Sequence, residues 1–191
     1  MAQRLHAQPL SLTTTVPAGT TLIRQGDPCV RAWIVTAGVL AERVVSPEGR
    51  VLIPRLPGPG DLVGGADGLA SPYTLVTLRR TSLRPASGRD LEDGLAARCR
   101  EAVAFASEIA WLDTTTTIER RLRHIAERFG RPAPGGTAVA LTFTQEELGA
   151  FAGATRESAN RAVGELLRRG AIRRLSRGRY LVRTPLQPVR R

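Results

Sequence analysis

Evenly spaced glycines are the feature that most restricts how the first half of this sequence can fold. Between residues 10 and 84, short runs of β-branched and apolar residues alternate with turn segments, and glycine recurs in these segments at intervals of 11 or 12 residues. The glycines are Gly26, Gly38, Gly49 and Gly60. Regularly spaced short strands are typical of barrels and sandwiches, whereas a parallel sheet needs helices between its strands. The pattern therefore predicts an all-β domain over residues 1–88.

A helical repeat replaces the strand pattern from Arg89 onward. Apolar or small residues recur at alternating steps of four and three, which is the seam of a helix that packs against a partner helix. The seam residues are Leu95, Cys99, Ala102, Ala106 and Ile109. We therefore predict a dimerisation helix over residues 89–113, with a helix docked on its own domain as the alternative. The four threonines at 114–117 interrupt helical propensity and predict a hinge, and RPAPGG at 131–136 predicts a loop that ends the next helix.

The segment around residues 144–166 predicts two helices joined by a short turn. Thr144 and Glu147 have the spacing of a capping box, Gly153 permits a sharp turn, and Thr155 is a suitable N-cap for the second helix. One side of that second helix is apolar, with Ala159, Ala162, Val163 and Leu166. The opposite side is polar, with Arg156, Glu157, Asn160 and Arg161. This arrangement is typical of a helix-turn-helix that enters a major groove.

The residue types of the polar side suit the reading of base edges. Arginine can bond guanine O6 and N7, glutamate can accept from cytosine N4, and asparagine can pair with adenine. Glu157 would weaken a surface built only for phosphate, so its presence favours sequence reading. We predict contacts to the DNA backbone from two groups, the hydroxyls Thr144, Thr155 and Ser158 and the basic hairpin residues Arg173, Arg174, Arg177 and Arg179. The hairpin would turn near residues 176–178 as a wing, within a domain spanning 114–191. The alternative is a small helical domain with solvated arginines.

The charge distribution points to the same partner. The net charge is +11, and residues 114–191 hold 16 arginines against 6 acidic residues, while residues 1–113 hold 12 against 11. A local excess of this size attracts a polyanion, so we expect double-stranded DNA and regard an anionic membrane surface as the competitor. The chain has no lysine, so genome composition is an alternative cause of its arginine content. No apolar run approaches a membrane span, and we expect a cytoplasmic protein.

Across nearly its whole length the sequence resembles the cyclic-AMP receptor protein and fumarate-nitrate regulator (Crp/Fnr) family of bacterial transcription regulators. The resemblance lies in residues 16–65, 109–122 and 143–172, of which the last is the most specific. It implies an α+β fold with a cyclic-nucleotide-binding-type β-roll, a long dimerisation helix and a C-terminal winged helix-turn-helix. It also implies a homodimer on a pseudopalindromic TGTGA-like site, and contact with RNA polymerase if the protein activates transcription. Arg156 and Arg161 would then contact guanines, and Glu157 would accept from cytosine.

The sequence departs from the family at the nucleotide pocket. Gly64-Gly65 stands where ligand-binding members have Gly-Glu, and the segment ending at Thr74 lacks the arginine that holds the cyclic phosphate, so Arg79 or Arg80 would have to serve from a shifted register. The family's Thr-Ser pair on the dimer helix is replaced by Ala102-Val103. A buried phosphate without a charged partner is costly, so we expect no cyclic AMP and a pocket that is empty, holds another effector or serves as a scaffold.

Other chemistries lack the residues that they need. Cys29 and Cys99 are the only cysteines and form no metal-ligand pattern, so we expect neither metal nor haem. No catalytic triad, paired carboxylates at catalytic spacing or phosphate-binding loop appears, so we expect no enzyme. Two alternatives stay open at this point: a regulator gated by a different small molecule in the β-roll, and a nonspecific or architectural DNA-binding protein.

Overall fold

A computed structural model describes residues 13–183, and the chain divides into two compact units between Ala106 and Ser107. The division falls inside a helix, so the contacts do not set that helix apart as a third unit. The first unit holds eight strands: β1 Thr14–Val16, β2 Thr21–Ile23, β3 Arg31–Ala37, β4 Leu40–Val45, β5 Val51–Arg55, β6 Leu62–Gly65, β7 Thr74–Thr77 and β8 Thr81–Pro85. They form two antiparallel four-stranded sheets, β1-β8-β3-β6 and β2-β7-β4-β5.

Over residues 13–87 the all-β prediction is confirmed. The four spaced glycines all have positive φ angles, from 79° to 96°, which is the backbone conformation that makes glycine the preferred residue in such turns. Between the two sheets lies one apolar core, to which both sheets contribute. Its buried residues are Ile23, Val35, Leu40, Val63, Tyr73, Leu75 and Leu83. Burial of this apolar surface fixes which face of each strand points inward.

Helix α1 spans Gly88–Trp111, close to the predicted 89–113. Its start is fixed by Asp90, whose carboxylate accepts from the backbone and hydroxyl of Ser87 and pairs with Arg84 at 2.7 Å. Only Phe105 of the helix is buried. The predicted seam residues Leu95, Cys99, Ala102, Ala106 and Ile109 are all exposed. The helix is therefore confirmed, and its partner helix stays a prediction.

The four threonines are not a hinge outside a helix, which corrects the sequence interpretation. They form the first turn of α2, Thr114–Phe129, and Asp113 is its N-cap. The Asp113 carboxylate accepts from the backbone N–H of Thr116 at 2.9 Å and from its hydroxyl at 2.8 Å, and the Thr117 hydroxyl donates to the Asp113 carbonyl at 3.0 Å. These bonds offset the weak helical propensity of threonine. The break between α1 and α2 lies at Leu112 and Asp113 instead.

The RPAPGG segment was expected to be a loop, and it forms most of a hairpin. Strand β9 is Gly130–Ala133 and strand β10 is Gly136–Val139. The second unit continues with α3 Gln145–Phe151, α4 Arg156–Arg168, β11 Ile172–Ser176 and β12 Arg179–Arg183. Its sheet has the order β11-β12-β10-β9. Within the described residues, no helix is both long and apolar enough to cross a bilayer.

Candidate nucleic-acid interface and β-roll cavity

The start of α3 is held by the predicted capping box. The Thr144 hydroxyl oxygen accepts from the Glu147 backbone N–H at 3.1 Å, and the Glu147 carboxylate accepts from the Thr144 backbone N–H at 3.0 Å. The Thr144 hydroxyl also donates to that carboxylate at 3.1 Å. A phosphate contact from this hydroxyl would therefore compete with the cap.

A tight turn brings α4 close behind α3. Gly153 has φ +61°, as the turn prediction requires, and Ala154 N–H donates to the Gly149 carbonyl at 2.9 Å. Thr155 then caps α4, because its hydroxyl oxygen accepts from the Ser158 backbone N–H at 3.2 Å. Both predicted backbone-contacting hydroxyls of this helix therefore lie at its N-terminal end, where the helix dipole attracts phosphate.

The two faces of α4 are those that the sequence predicts. The apolar residues Ala159, Ala162, Val163 and Leu166 are buried, each with at most 3% exposure. The polar residues Arg156, Glu157, Asn160 and Arg161 are exposed. Three of them line an open groove together with Thr155 and a residue from α3; these three are Arg156, Glu157 and Asn160. Arg161 is not among the groove residues and donates to the Ser158 hydroxyl at 3.3 Å.

Gln145, the first residue of α3, is the groove residue that the sequence interpretation missed. Its side-chain N–H donates to the Tyr180 hydroxyl on β12 at 3.1 Å. Its Oε1 is buried and has no hydrogen-bond partner within the described part of the chain. The available signal was its position next to the capping threonine, since the two helix starts of a helix-turn-helix face the same ligand.

The predicted wing is present and is attached to the helix pair. Strands β11 and β12 pair antiparallel, and the turn at Arg177 and Gly178 lies within the predicted range. Gly178 accepts at its carbonyl from the Phe143 backbone N–H at 2.9 Å, directly before the α3 cap. All four predicted phosphate-contacting residues, Arg173, Arg174, Arg177 and Arg179, are exposed. A backbone hydrogen bond therefore connects the wing, with its exposed arginines, to the start of the helix pair.

The first unit contains a cavity between the β-roll and α1. Gly64 and Gly65 line it, as predicted, and Ala102 does so too. Thr74, Arg79 and Arg80, which were also assigned to the pocket, are not among the described lining residues. The Thr74 hydroxyl instead accepts from Gln25 N–H at 3.1 Å, and the two arginines lie in the turn between β7 and β8, where the backbone is bonded to Val39 and Thr81.

A charged network that the sequence did not reveal fills one side of the cavity. Glu42 is 4% exposed and accepts from Arg55 at 3.1 Å, and Arg98 of α1 lies 3.6 Å from the same carboxylate oxygen. Arg55 also pairs with Glu101 of α1. Arg98 donates to the Gly64 carbonyl at 2.8 Å and to the Tyr73 hydroxyl at 2.6 Å. The network therefore ties α1 to strands of the β-roll.

Burial and the ion pairs act in opposite directions on these groups. Burial raises the pKa of Glu42, and the charges of Arg55 and Arg98 only partly offset it. Burial would lower the pKa of Arg55, but Glu42 and Glu101 hold it above its ordinary value. Burial and the Glu42 charge raise the pKa of Tyr73, although Arg98 acts the other way. The carboxylates of Glu42 and Glu101 thus favour the charged form of Arg55 inside the first unit.

The comparisons with known proteins cover both units. Residues 13–98 match the family model of the cyclic nucleotide-binding domain, and residues 118–185 match that of the Crp-like helix-turn-helix domain. A CRP-like cAMP-activated global transcriptional regulator of Mycobacterium tuberculosis is 28% identical over 174 residues, covering 82% of this chain and 78% of the relative. The regulatory protein CysR of Synechococcus elongatus is 28% identical over 158 residues, covering 80% and 76%.

A solved structure is similar to this chain along most of its length. A CRP/FNR-family transcriptional regulator of Thermus thermophilus superimposes with a TM-score of 0.79 at 25% identity, covering 91% of this chain and 94% of that one. The Mycobacterium and Thermus proteins are transcriptional regulators rather than enzymes. With both domain models matched in the family's order, and with the β-roll, long helix and winged helix-turn-helix observed, the chain belongs to the Crp/Fnr family of transcription regulators.

Proposed function

We propose that this regulator binds a pseudopalindromic, TGTGA-like DNA site as a homodimer and does so without cyclic AMP. The observation that carries the proposal is the exposed polar face of α4, on which Glu157 lies among Arg156, Asn160 and Arg161. Arginine and glutamate on one exposed face supply the donors and the acceptor that distinguish G·C pairs in a major groove. A regulator that activates transcription would also contact RNA polymerase.

The homodimer is supported by the exposed seam of α1. Leu95 is 57% exposed and Ile109 is 37% exposed, and they share a helix face with three small residues. A second copy of the same helix is the occupant that fits, because a self-complementary seam forms a twofold interface and two α4 helices then read two half-sites. We expect Ile109→Glu to raise the dimer dissociation constant, and Val30→Glu, which alters an exposed valine of the β-roll, to leave it unchanged. Sedimentation velocity across a range of concentrations measures both.

Independence from cyclic AMP is supported by the chemistry of the cavity. Arg55 and Arg98 are its only arginines among the described lining residues, and each is already paired with a carboxylate. A cyclic phosphate would have to displace these internal partners. Titration calorimetry of the ligand-free protein with cyclic AMP should therefore give no binding heat, and DNA affinity should not change when cyclic AMP is added.

The decisive experiment compares binding to a TGTGA-type palindrome with binding to scrambled DNA at fixed salt. Arg161→Ala should cost about 1–3 kcal/mol at its own base, and Glu157→Ala should relax selectivity at one position. Arg168→Ala is the matched control, since Arg168 lies near the end of the same helix, is exposed and pairs with Glu165. Equal losses on all DNA sequences would indicate a nonspecific binder and refute the proposal.

An effector-gated regulator is the second candidate, and the cavity itself is the observation that favours it. Residues of α1 line this space, and they include the seam residues Leu95, Cys99 and Ala102. A molecule bound there would touch the proposed dimer helix. DNA affinity that rises only after addition of a non-nucleotide cell extract fraction would favour this candidate.

A further inference from the structure

The cavity of the first unit is large enough to hold a small organic molecule. Its volume is about 680 Å³, within the range of sites that bind compounds of drug size. Most of its lining is apolar, and this part comes from the β-roll and from α1 alike. The apolar lining residues include Leu69, Ala70, Leu95 and Phe105.

Two of these apolar side chains are left uncovered. Leu69 is 68% exposed, and Leu95, which also belongs to the proposed dimer seam, is 57% exposed in the single chain, although both border the cavity. Leu69 belongs to the segment after β6, and Leu95 belongs to α1. A molecule that occupied the cavity would remove apolar surface of both from water, which favours an apolar ligand.

The charged groups of the cavity do not favour an anion. Glu42, Asp67 and Glu101 oppose Arg55 and Arg98, so the lining carries a formal charge of −1. Arg55 is bonded to two carboxylates and to the Leu62 carbonyl at 3.3 Å. Arg98 is bonded to the Gly64 carbonyl and the Tyr73 hydroxyl. An entering anion would meet excess negative charge and arginines that already have partners.

We propose that this cavity binds an uncharged, mainly apolar molecule rather than a cyclic nucleotide. Its body lies against Leu69, Leu95 and Phe105, between the β-roll and the first half of α1. The ion-pair network forms the polar side of the site and stays intact on binding. The inference rests on unit 1 alone, so it stands or falls separately from the proposed DNA recognition.

Two fluorescent probes with one skeleton test the charge preference. N-phenyl-1-naphthylamine is uncharged, and 1-anilinonaphthalene-8-sulfonate adds one sulfonate to the same aromatic rings. Titration of the full-length protein should show saturable binding of the uncharged probe, with no more than one molecule per chain. The sulfonate should bind at least about 10-fold more weakly. Millimolar cyclic AMP should not displace the uncharged probe.

Two matched variants show whether the probe occupies this cavity. Ala70 lines the cavity and is exposed, so Ala70→Trp places an indole in the space and should weaken probe binding by at least about 10-fold. Ala18 is also exposed but lies in the turn between β1 and β2, so Ala18→Trp should change probe binding by less than about 2-fold. Circular dichroism melts show that both variants fold.

Several results would overturn the proposal. These are the absence of saturable binding, a sulfonate that binds as tightly as the uncharged probe, displacement by cyclic AMP, and binding that Ala70→Trp leaves unchanged. If folding of Ala70→Trp is impaired, Leu69→Ala, which lies outside the proposed dimer seam, provides the second readout. It removes apolar surface from the cavity wall and should weaken probe binding about 3-fold or more.

Discussion

Replacing Gly178 by alanine should destabilise the second unit more than its backbone angle alone explains. Gly178 lies at the tip of the wing with φ +71°, and a Cβ there would lie 2.6 Å from the Phe143 carbonyl oxygen and 2.8 Å from Thr142 Cγ2. Ordinary contacts of this kind begin at 3.4 Å. The turn must therefore move away, which stretches the 2.9 Å hydrogen bond from Phe143 N–H to Gly178.

Three contributions determine how much Gly178→Ala lowers the free energy of unfolding. A non-glycine residue in the left-handed region costs about 1–2 kcal/mol. Loss of one backbone hydrogen bond adds about 1 kcal/mol. Crowding of a packed contact adds at least about 1 kcal/mol. We expect Gly178→Ala to lower the free energy of unfolding by about 3–4 kcal/mol.

Gly135→Ala is the matched control. Gly135 lies in the other hairpin of the same sheet with φ +86°, and a Cβ there would meet nothing within 4 Å. Gly135→Ala should therefore lower the free energy of unfolding only by the cost of the left-handed backbone conformation, which is about 1–2 kcal/mol. Hydrogen exchange read by mass spectrometry over residues 141–183, with urea denaturation of the full chain, measures both variants. If the two variants lower the free energy of unfolding by amounts that agree within about 0.5 kcal/mol, the contact between the wing and the helix pair does not cause the destabilisation by Gly178→Ala.

Two further perturbations test the packing of α1 and the capping of α2. Gly94→Ala would place a Cβ 2.4 Å from Leu62 Cβ, so urea denaturation should show a free energy of unfolding lower by about 1–3 kcal/mol. In Gly164→Ala of α4, where a Cβ meets nothing within 4 Å, the free energy of unfolding should rise by up to about 1 kcal/mol. An increase in both variants would contradict the close approach of α1 to the sheet. The hydrogen bonds from Thr116 hold the pKa of Asp113 below its ordinary value. The Asp113 cap therefore stabilises α2 fully at a pH above the pKa of aspartate in the unfolded chain, which is about 4. This stabilisation is lost as the pH falls through the lower pKa of Asp113 in the folded chain. A carboxyl NMR titration should place that midpoint below 3.8, and a midpoint at or above this value would contradict the cap.

The features that the sequence predicted well are those encoded within a few residues. The spaced glycines mark turns because each one occupies a positive φ angle by itself. The capping box of Thr144 and Glu147 and the cap at Thr155 need only a spacing of three residues. For the same reason the exposed face of α4 followed directly from a period of 3.6 residues.

Two local segments were misread because a neighbouring signal outweighed propensity. Asp113 is an N-cap that allows the threonines to begin a helix. The hinge prediction was based on the low helical propensity of threonine and did not include this cap. The prolines of RPAPGG suggested a loop, yet Pro132 lies in β9, which is an edge strand. An edge strand has one side without ladder bonds, so it tolerates the missing N–H of proline.

The cavity network could not be predicted because its members come together only in the folded chain. Glu42 and Arg55 lie on adjacent strands, but Arg98 and Glu101 lie on a helix far along the sequence. Nothing in the local pattern distinguishes Glu42 from a solvated charge on a strand. The family resemblance predicted Gly64 and Gly65 at the pocket, and the charges that line the same space occur at other positions.

Helix α1 is 24 residues long and buries a single side chain, Phe105. Burial of apolar side chains within its own chain therefore contributes little to the stability of this helix, although such burial is the main source of helix stability in proteins. If two copies associate through it, folding of the helix and association become one equilibrium, and the melting temperature must then rise with protein concentration. Abundance in the cell would thereby set the fraction of chains able to bind both halves of a DNA site, before any small molecule intervenes.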